Sequence, residues 1–433
     1  MDTTALYSYF LQHPAISTDT RDIRPESLFF ALKGANFNGN AFAAEALGKG
    51  AAYAIIDQPQ YKQDERFLVV DDVLIALQEL ARYHRRQLNI PVIGITGTNG
   101  KTTTKELIHA VLSQRFRTYA TRGNLNNHIG VPLTVLSITP ETEMAIVEMG
   151  ANHQGEIALL CSIAEPTHGL ITNVGKAHLE GFGSFEGVKK AKGELYDHLA
   201  ASGGTLFIRH DNPHLKEMAA ARTIKHVVTY GFSAGNDLVG ELVSANPLLH
   251  IRWNVASDPV SYQVGTQLTG SYNTENILAA ACIGTHFGLN PEAINRGISG
   301  YSPSNNRSQL VKTASNTVIC DYYNANASSM AAALENLRHL HAHRKVIILG
   351  DMFELGEETH AEHGKVVEAV RQLSSFRTVF AGKAFFEHRY EGAEFYETTE
   401  QAKAALLENP VSDALVLLKA SRGMAFERLM DCL

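Results

Sequence analysis

The stretch Pro91-Val92-Ile93-Gly94-Ile95-Thr96-Gly97-Thr98-Asn99-Gly100-Lys101-Thr102-Thr103-Thr104 decides how the rest of the chain is interpreted. Residues 90–95 form an apolar run that is typical of a buried strand, and a turn of Gly, Thr and Asn follows it. Across residues 102–112 the apolar positions recur at helical spacing. The stretch therefore predicts a strand, a glycine-rich turn and a helix in succession.

This succession makes a cradle for phosphate groups. Backbone N–H groups in such a turn point inward, the N-terminus of the helix adds partial positive charge, a Lys reaches the terminal phosphates and a Thr hydroxyl meets Mg²⁺. The strict P-loop pattern has Gly where Ile95 stands, so the motif is a variant, and a solvated turn before a helix is the alternative. The predicted ATP-binding residues of the loop are Gly97, Thr98, Asn99, Gly100, Lys101, Thr102 and Thr103.

Bulk composition indicates a globular enzyme from a reducing compartment. A length of 433 residues suggests about three domains. A net charge of −7 argues against general nucleic-acid binding. The four cysteines are scattered and form no metal-type pair. The N-terminus lacks the basic region of a secretory signal, and no stretch approaches the roughly 20 apolar residues of a membrane span, so a cytoplasmic protein without membrane insertion is expected.

The first 89 residues predict a small α/β domain, with a helix-like segment at 41–47 and a strand at 51–56. A polar, glycine-containing loop covers residues 34–39, and ordinary solvation is the favoured interpretation of it from composition.

Polar residues cluster after the phosphate-binding motif. Residues 123–132 hold three asparagines, a histidine and two glycines, which suit a polar ligand and an ordinary turn equally well. Glu148 ends an apolar run that starts at Met144, and open α/β sheets bind ligands at the carboxyl ends of their strands. We expect Glu148 to hold the Mg²⁺ that bridges nucleotide phosphates, the alternative being a surface carboxylate beyond a strand.

Two more residues are candidates for the same sheet edge. His178 follows a strand predicted at 169–173, beside the same sheet edge as Glu148, and this position supports structural and ligand roles about equally. A His ligand would be unusual for Mg²⁺, which prefers oxygen. Lys192 lies in a helix predicted at 185–199, whose charge pattern alone indicates a solvated basic face. An ammonium group has no lone pair for a metal, so Lys192 could reach Mg²⁺ only after carbamylation.

From about residue 306 the chain alternates between strand and helix patterns, which predicts a parallel, Rossmann-like sheet. No Gly-x-Gly-x-x-Gly motif occurs there, so a dinucleotide cofactor is not indicated. Arg422 follows the last strand, and that position favours a carboxylate clamp over a solvated residue. The predicted strands cover 317–320, 345–349, 378–381 and 414–418, and the predicted helices cover 328–340, 361–373, 399–407 and 424–430.

These motifs together resemble the Mur ligases, the ATP-dependent amino-acid and peptide ligases of peptidoglycan synthesis, and the resemblance covers nearly the whole chain. Three motifs resemble the member that joins D-alanyl-D-alanine to UDP-N-acetylmuramoyl-tripeptide: Glu148-Met149-Gly150-Ala151, Tyr323-Asn324-Ala325-Asn326 and Gly350-Asp351-Met352. The other supporting motifs are 97–103, 124–132, 173–184, 191–194 and 273–276.

The resemblance implies three α/β domains: a UDP-binding domain at 1–89, a central P-loop ATPase domain with a mostly parallel sheet at 90–305, and a Rossmann-like ligase domain at 306–433. It implies two Mg²⁺ ions, one held by Thr102 and Glu148 and the other by His178 and a carbamylated Lys192, with Lys101 as a further catalytic residue. The implied nucleotide contacts are Asn276, Arg307 and Asp321, and the implied substrate contacts are Thr20, Arg21, Asn126, Asn127, Asn324, Asn326 and Arg422.

The chain departs from the family pattern at three places that concern substrate contacts. It has Asn38-Gly39-Asn40 where the family usually has Asp-Gly-His, Ala327 where a Pro is expected, and Ala420 where a Gly is expected.

The expected reaction is phosphorylation of the tripeptide carboxylate by ATP, followed by attack of the dipeptide amine on the acyl phosphate, carried out by a monomer. The close alternatives are a sister ligase that adds another amino acid and a folylpolyglutamate-type ligase. The Tyr-Asn-Ala-Asn motif at 323–326 and the Gly-Asp-Met motif at 350–352 argue against both. A regulatory P-loop GTPase would need an Asn-Lys-x-Asp guanine reader, which the sequence lacks. The third residue of the peptide, diaminopimelate or lysine, is not given by the sequence.

Overall fold

The computed structural model describes residues 1–176, 179–373 and 376–433. Its long strands form three sheets that follow one another along the chain. No helix within the described ranges is long and apolar enough to cross a membrane.

The first sheet has four parallel strands in the order β1-β2-β5-β6, and a small antiparallel hairpin, β3 with β4, lies beside it. Sequence patterns did not predict α1 or α3, which flank this sheet. The elements are α1 (Thr3–Gln12), β1 (Ile16–Ser17), β2 (Leu28–Phe30), β3 (Lys33–Gly34), β4 (Phe37–Asn38), α2 (Ala43–Gly48), β5 (Tyr53–Ile56), β6 (Phe67–Val69) and α3 (Val73–Gln87), with 3-10 turns at Gly39–Phe42 and Pro59–Tyr61.

Helix α3 fastens the first sheet to the second. Its N-cap Asp72 accepts a hydrogen bond from Ile75 N, and its last turn is basic, which suits the helix dipole. Arg85 donates to the carbonyl of Ala164 over 2.9 Å, and His84 Nε2 lies 2.9 Å from the carbonyl of Ile138. One apolar core therefore continues from the first sheet through α3 to one face of the second.

The second sheet has nine strands in the order β15-β14-β13-β12-β11-β10-β7-β9-β8. It is parallel from β8 to β13, whereas β13, β14 and β15 pair antiparallel. Its strands are β7 (Val92–Thr96), β8 (Thr118–Ala120), β9 (Met144–Glu148), β10 (His168–Ile171), β11 (Thr205–Arg209), β12 (His226–Gly231), β13 (Leu238–Ala245), β14 (Leu249–Val255) and β15 (Tyr262–Gly265). Its helices are α4 (Lys101–Leu112), α5 (Gly130–Leu136), α6 (Glu156–Ala164), α7 (Leu179–Phe182), α8 (Phe185–Ser202), α9 (Pro213–Ala220), α10 (Asn273–His286) and α11 (Pro291–Gly300).

The third sheet has six strands in the order β16-β17-β21-β18-β19-β20, parallel except for the edge pair β16 and β17. Apolar residues cover both of its faces. Its elements are β16 (Gln309–Lys312), β17 (Asn316–Asp321), α12 (Ala327–His339), β18 (Lys345–Gly350), α13 (Thr359–Arg371), β19 (Arg377–Ala381), α14 (Lys383–Phe386), β20 (Glu394–Tyr396), α15 (Thr399–Glu408) and β21 (Ala414–Lys419), with 3-10 turns at Gly356–Glu358, Arg422–Met424 and Phe426–Cys432.

The predicted fold class is confirmed: three α/β units, with a mostly parallel central sheet and a Rossmann-like third sheet. The helix predicted at 424–430 is wrong as an α-helix. The segment folds as two 3-10 turns, and Ala425 between them has φ +52°, which interrupts a right-handed helix.

Candidate active site

The phosphate-binding stretch folds as predicted, with β7 ending at Thr96 and α4 beginning at Lys101. Gly97 has φ +142°, and a Cβ there would lie 2.1 Å from Thr172 Oγ1, so a larger residue would clash with the neighbouring strand. Gly100, the N-cap of α4, has φ +77°, in the left-handed region that favours glycine. The loop backbone therefore needs both glycines to turn into the N-terminus of α4.

Lys101 lies across this loop. Its ammonium donates to the carbonyls of Gly97 and Thr98, over 2.7 and 3.0 Å. Burial lowers the pKa of Lys101 to about 8; the nearby Glu148 carboxylate opposes that shift and Arg307 adds to it. A cation held at the mouth of a helix N-terminus is suited to an anionic ligand.

Glu148, at the end of β9, is 1% exposed and accepts two side-chain hydrogen bonds. Thr102 Oγ1 donates to Glu148 Oε2 and Asn126 Nδ2 donates to Glu148 Oε1, each over 2.9 Å. The surface-carboxylate alternative for Glu148 is therefore wrong. Asn126 contacts this carboxylate, and the Asn127 side chain accepts from Ile129 N and Gly130 N at the start of α5.

Lys192 is buried in α8, at 2% exposure, so the interpretation of this position as part of a solvated basic face is wrong. Its Nζ lies 3.3 Å from the carbonyl of Ala151 and 5.1 Å from the centre of the Phe182 ring. Burial, reinforced by Lys101, lowers the pKa of Lys192 to about 7, although Glu156 and Glu194 oppose the shift. His178 lies outside the described residues.

A cavity of about 660 Å³ opens between the phosphate-binding loop and the third sheet. The predicted residues that line it are Thr98, Asn99, Gly100, Lys101, Thr103, Asn126, Asn127, Glu148, Asn276, Arg307, Asp321, Asn324 and Asn326. Within residues 1–176, 179–373 and 376–433, no three His, Cys, Asp or Glu side chains form a metal-binding group.

The far wall of the cavity carries charges from the third sheet and the segment before it. Asp321, at the end of β17, accepts from Lys419 Nζ over 2.6 Å, and Lys419 is 1% exposed at the end of β21. The Arg307 guanidinium stacks 3.8 Å from the centre of the Tyr323 ring. Sequence reasoning gave no role to Lys419; its place directly after a predicted strand was the available signal.

Asn276 packs against the phosphate-binding loop, where its side-chain atoms lie about 3 Å from a Cβ built on Gly100. It accepts from Thr104 Oγ1 over 3.0 Å and donates to Asn273 Oδ1 over 2.9 Å. The bond with Thr104 holds α10 against α4, whereas the bond with Asn273 lies within α10 and orients the Asn276 amide, so Asn276 supports the loop from behind.

Three predicted substrate residues lie away from the cavity lining. Arg422 is exposed, with its guanidinium carbon 5.3 Å from the centre of the Tyr323 ring. Arg21 pairs with Asp19 on the surface of the first unit, and the carbonyl of Thr20 accepts from Lys49 Nζ. The loop at 34–40 is held by Asn40, which is 1% exposed and bonds Asp57, so that part of the segment is structural.

Comparison with known proteins identifies the family. Family models match residues 14–93 (Mur ligase family, catalytic domain), 95–284 (Mur ligase middle domain) and 306–422 (Mur ligase, glutamate ligase domain). A Bacillus subtilis (strain 168) protein, UDP-N-acetylmuramoyl-tripeptide--D-alanyl-D-alanine ligase, is 37% identical over 96% of this chain and 92% of its own length. The chain belongs to the Mur ligase family.

Solved Mur ligase structures agree with this assignment. MurF from Acinetobacter baumannii superposes with a TM-score of 0.87 at 31% identity, covering 96% of this chain and 92% of that one. MurF ligase from Thermotoga maritima, solved in complex with ADP, superposes with a TM-score of 0.85 at 25% identity, covering 98% of this chain and 97% of that one. The resemblance to Mur ligases expected from the motifs is confirmed, and it extends along nearly the whole chain.

Proposed function

We propose that this Mur ligase joins D-alanyl-D-alanine to the free carboxylate of UDP-N-acetylmuramoyl-tripeptide with conversion of ATP to ADP and phosphate, in cytoplasmic peptidoglycan precursor synthesis. The observation that carries the proposal is the cavity between the phosphate-binding loop and the strand ends of the third sheet, in a chain whose relatives of matching length bear that activity in their names. The proposed boundaries are 1–89 for UDP binding, 90–305 for ATP and 306–433 for the dipeptide.

The reaction has two steps. First, the γ-phosphoryl group moves from ATP to a carboxylate oxygen of the tripeptide, which leaves ADP and an acyl phosphate. Then the dipeptide amine attacks the acyl carbon, phosphate leaves with the electron pair of the broken C–O bond, and the amine loses a proton. Such reactions depend mainly on positioning and on charge neutralisation, because little covalent chemistry falls to the protein.

The groups around the loop have the charges that the first step needs. The Lys101 ammonium and the N-terminus of α4 face the same space and would hold the terminal phosphates. Arg307, over Tyr323, adds a second cation. Asn276, which packs beside the loop, and Asp321, on the opposite wall, are the proposed nucleoside contacts. Thr20, Arg21, Asn126 and Asn127 are the proposed contacts of the UDP-linked peptide, and Asn324, Asn326 and Arg422 those of the dipeptide.

The proposed Mg²⁺ ligands fit a hard cation in part. Thr102 Oγ1 and Glu148 Oε2 are 2.9 Å apart, buried, and both oxygen donors, which is the donor type that Mg²⁺ prefers. Bound there, Mg²⁺ would neutralise phosphate charge. The second proposed set needs His178 together with Lys192, and Lys192 supplies oxygen only when it carries a carbamate. Its burial and its pKa near 7 favour the neutral amine that reacts with carbon dioxide.

A phosphate-release assay tests the proposed function. Purified protein is given ATP, Mg²⁺ and UDP-N-acetylmuramoyl-tripeptide, with D-alanyl-D-alanine in one arm and a single amino acid in the other. We expect release only with the dipeptide, and a product whose mass has gained the dipeptide less one water. Release with the single amino acid alone would identify a sister ligase, and tripeptides ending in diaminopimelate or lysine would identify the preferred third residue.

A further inference from the structure

A closed ring of three hydrogen bonds joins the phosphate-binding loop to the first turn of α12. Asn326 Nδ2 donates to Asn99 Oδ1 over 2.9 Å, Asn99 Nδ2 donates to Ser328 Oγ over 2.8 Å, and Ser328 Oγ donates to Asn326 Oδ1 over 2.9 Å. Each side chain donates once and accepts once within the ring. Ser329 N also donates to Asn326 Oδ1, which fixes the orientation of that amide.

Both ends of the ring are anchored in regular structure. The Asn99 backbone N–H donates to Asn173 Oδ1 over 3.0 Å, and its carbonyl accepts from Thr172 Oγ1 over 2.6 Å, just beyond β10. At the other end, Asn326 caps α12 and forms a reciprocal capping box with Ser329. The ring therefore connects the central sheet to a helix of the third sheet through short side chains that have little freedom.

We propose that the Asn99–Ser328–Asn326 ring fixes the position of the C-terminal unit relative to the phosphate-binding loop. It would thereby align the dipeptide bound on that unit with the phosphates held by the loop. This deepens the proposed function and rests on it. Through the ring, Asn99, Ser328 and Asn326 act as positioning residues, in addition to the proposed contacts of Asn99 with ATP and of Asn326 with the dipeptide. The ligation step depends on this alignment, because the rate falls steeply when the reacting amine and the acyl phosphate are misplaced by as little as about 1 Å.

Other contacts between these units are less suited to this task. Lys176 lies 3.8 Å from both Glu358 and Glu362, and the Lys176 side chain is half exposed, so these ion pairs are weak and adjustable. The bond between Tyr272 Oη and Ser308 Oγ, 2.8 Å long, lies where the chain itself passes from one unit to the other. The ring, in contrast, contacts the phosphate-binding loop directly.

Replacement of Ser328 tests the proposal with little risk to the fold. Ser328→Ala removes the hydroxyl from the first turn of α12, where alanine is a good helix former, and Ser328→Thr keeps the hydroxyl as the matched control. Loss of two neutral hydrogen bonds should lower kcat/KM for the dipeptide by about tenfold, while KM for ATP stays within about twofold. Ser328→Thr should behave like the wild type.

A double-mutant cycle then asks whether the ring acts as a unit. Asn99→Ala combined with Ser328→Ala should cost no more in kcat/KM for the dipeptide than the more severe single variant. Three results would overturn the proposal: additive effects in the double variant, a rise in KM for ATP in Ser328→Ala as large as its loss in kcat/KM for the dipeptide, or a Ser328→Thr variant as impaired as Ser328→Ala.

Small-angle scattering separates the ring from the ligase activity. The radius of gyration, measured with Mg²⁺ and a non-hydrolysable ATP analogue, should be larger for Ser328→Ala than for the wild type and for Ser328→Thr. Identical radii would show that the ring does not hold the units together. If the wild type releases no phosphate with the dipeptide, the proposed function fails, whereas a difference in radius would still establish that the ring helps to hold the two units together.

Discussion

Asn126 Nδ2 and Glu148 Oε1 lie 2.9 Å apart, so the amide of the polar loop contacts the buried carboxylate at the end of β9. Together with Thr102 on the other oxygen, Asn126 fixes the carboxylate plane. Residues that orient a metal ligand typically change metal affinity by about 10- to 100-fold when they are replaced. Because Glu148 is a proposed Mg²⁺ ligand, the bond favours an orienting role for Asn126, whereas composition alone supported a ligand-binding loop and an ordinary turn equally.

Asn126→Ala should raise the Mg²⁺ concentration for half-maximal activity by about tenfold, because Glu148 loses one of its two orienting bonds. A magnesium titration of phosphate release measures this. Asn127→Ala is the control, since the Asn127 side chain accepts from Ile129 N and Gly130 N at the start of α5. A higher KM for the UDP-linked tripeptide with unchanged magnesium dependence would instead make Asn126 a substrate contact.

Lys101→Ala should lower kcat by at least ~10²-fold, since removing one preorganised charge from a transition state typically costs that much. The fold should persist, because the bonds of Lys101 go to carbonyls of its own loop and join no distant segments. Steady-state kinetics alongside circular dichroism measure both effects. Turnover close to that of the wild type would contradict the assignment of the phosphate-binding loop.

Lys192→Ala should lose most activity if the native side chain carries a carbamate, and acetate should restore part of it by supplying the missing carboxylate oxygens. Lys190→Ala is the matched control, because Lys190 is exposed on the same helix. Depleting bicarbonate should also weaken the native enzyme. A crystal structure with ATP and magnesium bound and an unmodified Lys192 would exclude the idea.

Arg422→Ala should raise KM for D-alanyl-D-alanine by about 30-fold, since a charge-assisted pair with the dipeptide carboxylate is worth about 2 kcal/mol and each 1.4 kcal/mol is tenfold. KM for ATP should change little. Arg428→Ala, an exposed arginine paired with Glu400, is the control. Unchanged KM for the dipeptide would make the position of Arg422 beside Tyr323 structural.

We expect His168 to make stability depend on pH. It lies among His286, Phe207 and Phe287, and burial, aided by His286, lowers its pKa from 6.5 to about 4. As the pH falls below 6.5 the unfolded chain binds a proton that the folded chain refuses, so stability is lost down to about pH 4, by roughly 3 kcal/mol in all.

Replacing His168 by Phe should therefore reduce the difference in Tm between pH 7 and pH 4.5, and calorimetry measures it. His226→Phe, at an exposed position, should leave that difference unchanged. A variant at 168 with the full pH dependence of the wild type would assign the effect to other groups.

Local patterns predicted the elements that carry their own signal. The phosphate-binding stretch has an apolar run, two glycines and helical spacing within a few turns, so its strand, loop and helix were found. Glu148 was singled out because it is the polar residue that ends an apolar strand. In both cases the signal lies within a short segment, and tertiary packing did not override the local preference.

Other features depend on contacts between distant segments. The charge pattern of α8 predicts the same solvated environment for Lys190 and Lys192. In the structure Lys190 is exposed, whereas Lys192 is buried because it faces Ala151 and Phe182. The ring from Asn99 to Asn326 joins residues 227 positions apart. Sequence spacing cannot predict this contact, because it forms only when the units of the second and third sheets have packed together.

The fastening of α3 has a mechanical consequence. Because Arg82, His84 and Arg85 bond carbonyls on the central helices and loops, the first sheet cannot swing without breaking those bonds. The chain passes to the third sheet once, along residues 301–308, where Asn306 and Ser308 have positive φ. The first two sheets should therefore move as one rigid body, with residues 301–308 as the hinge to the third sheet. Structures trapped at different stages of the reaction should superpose on residues 3–300 and differ by one rotation of the C-terminal unit.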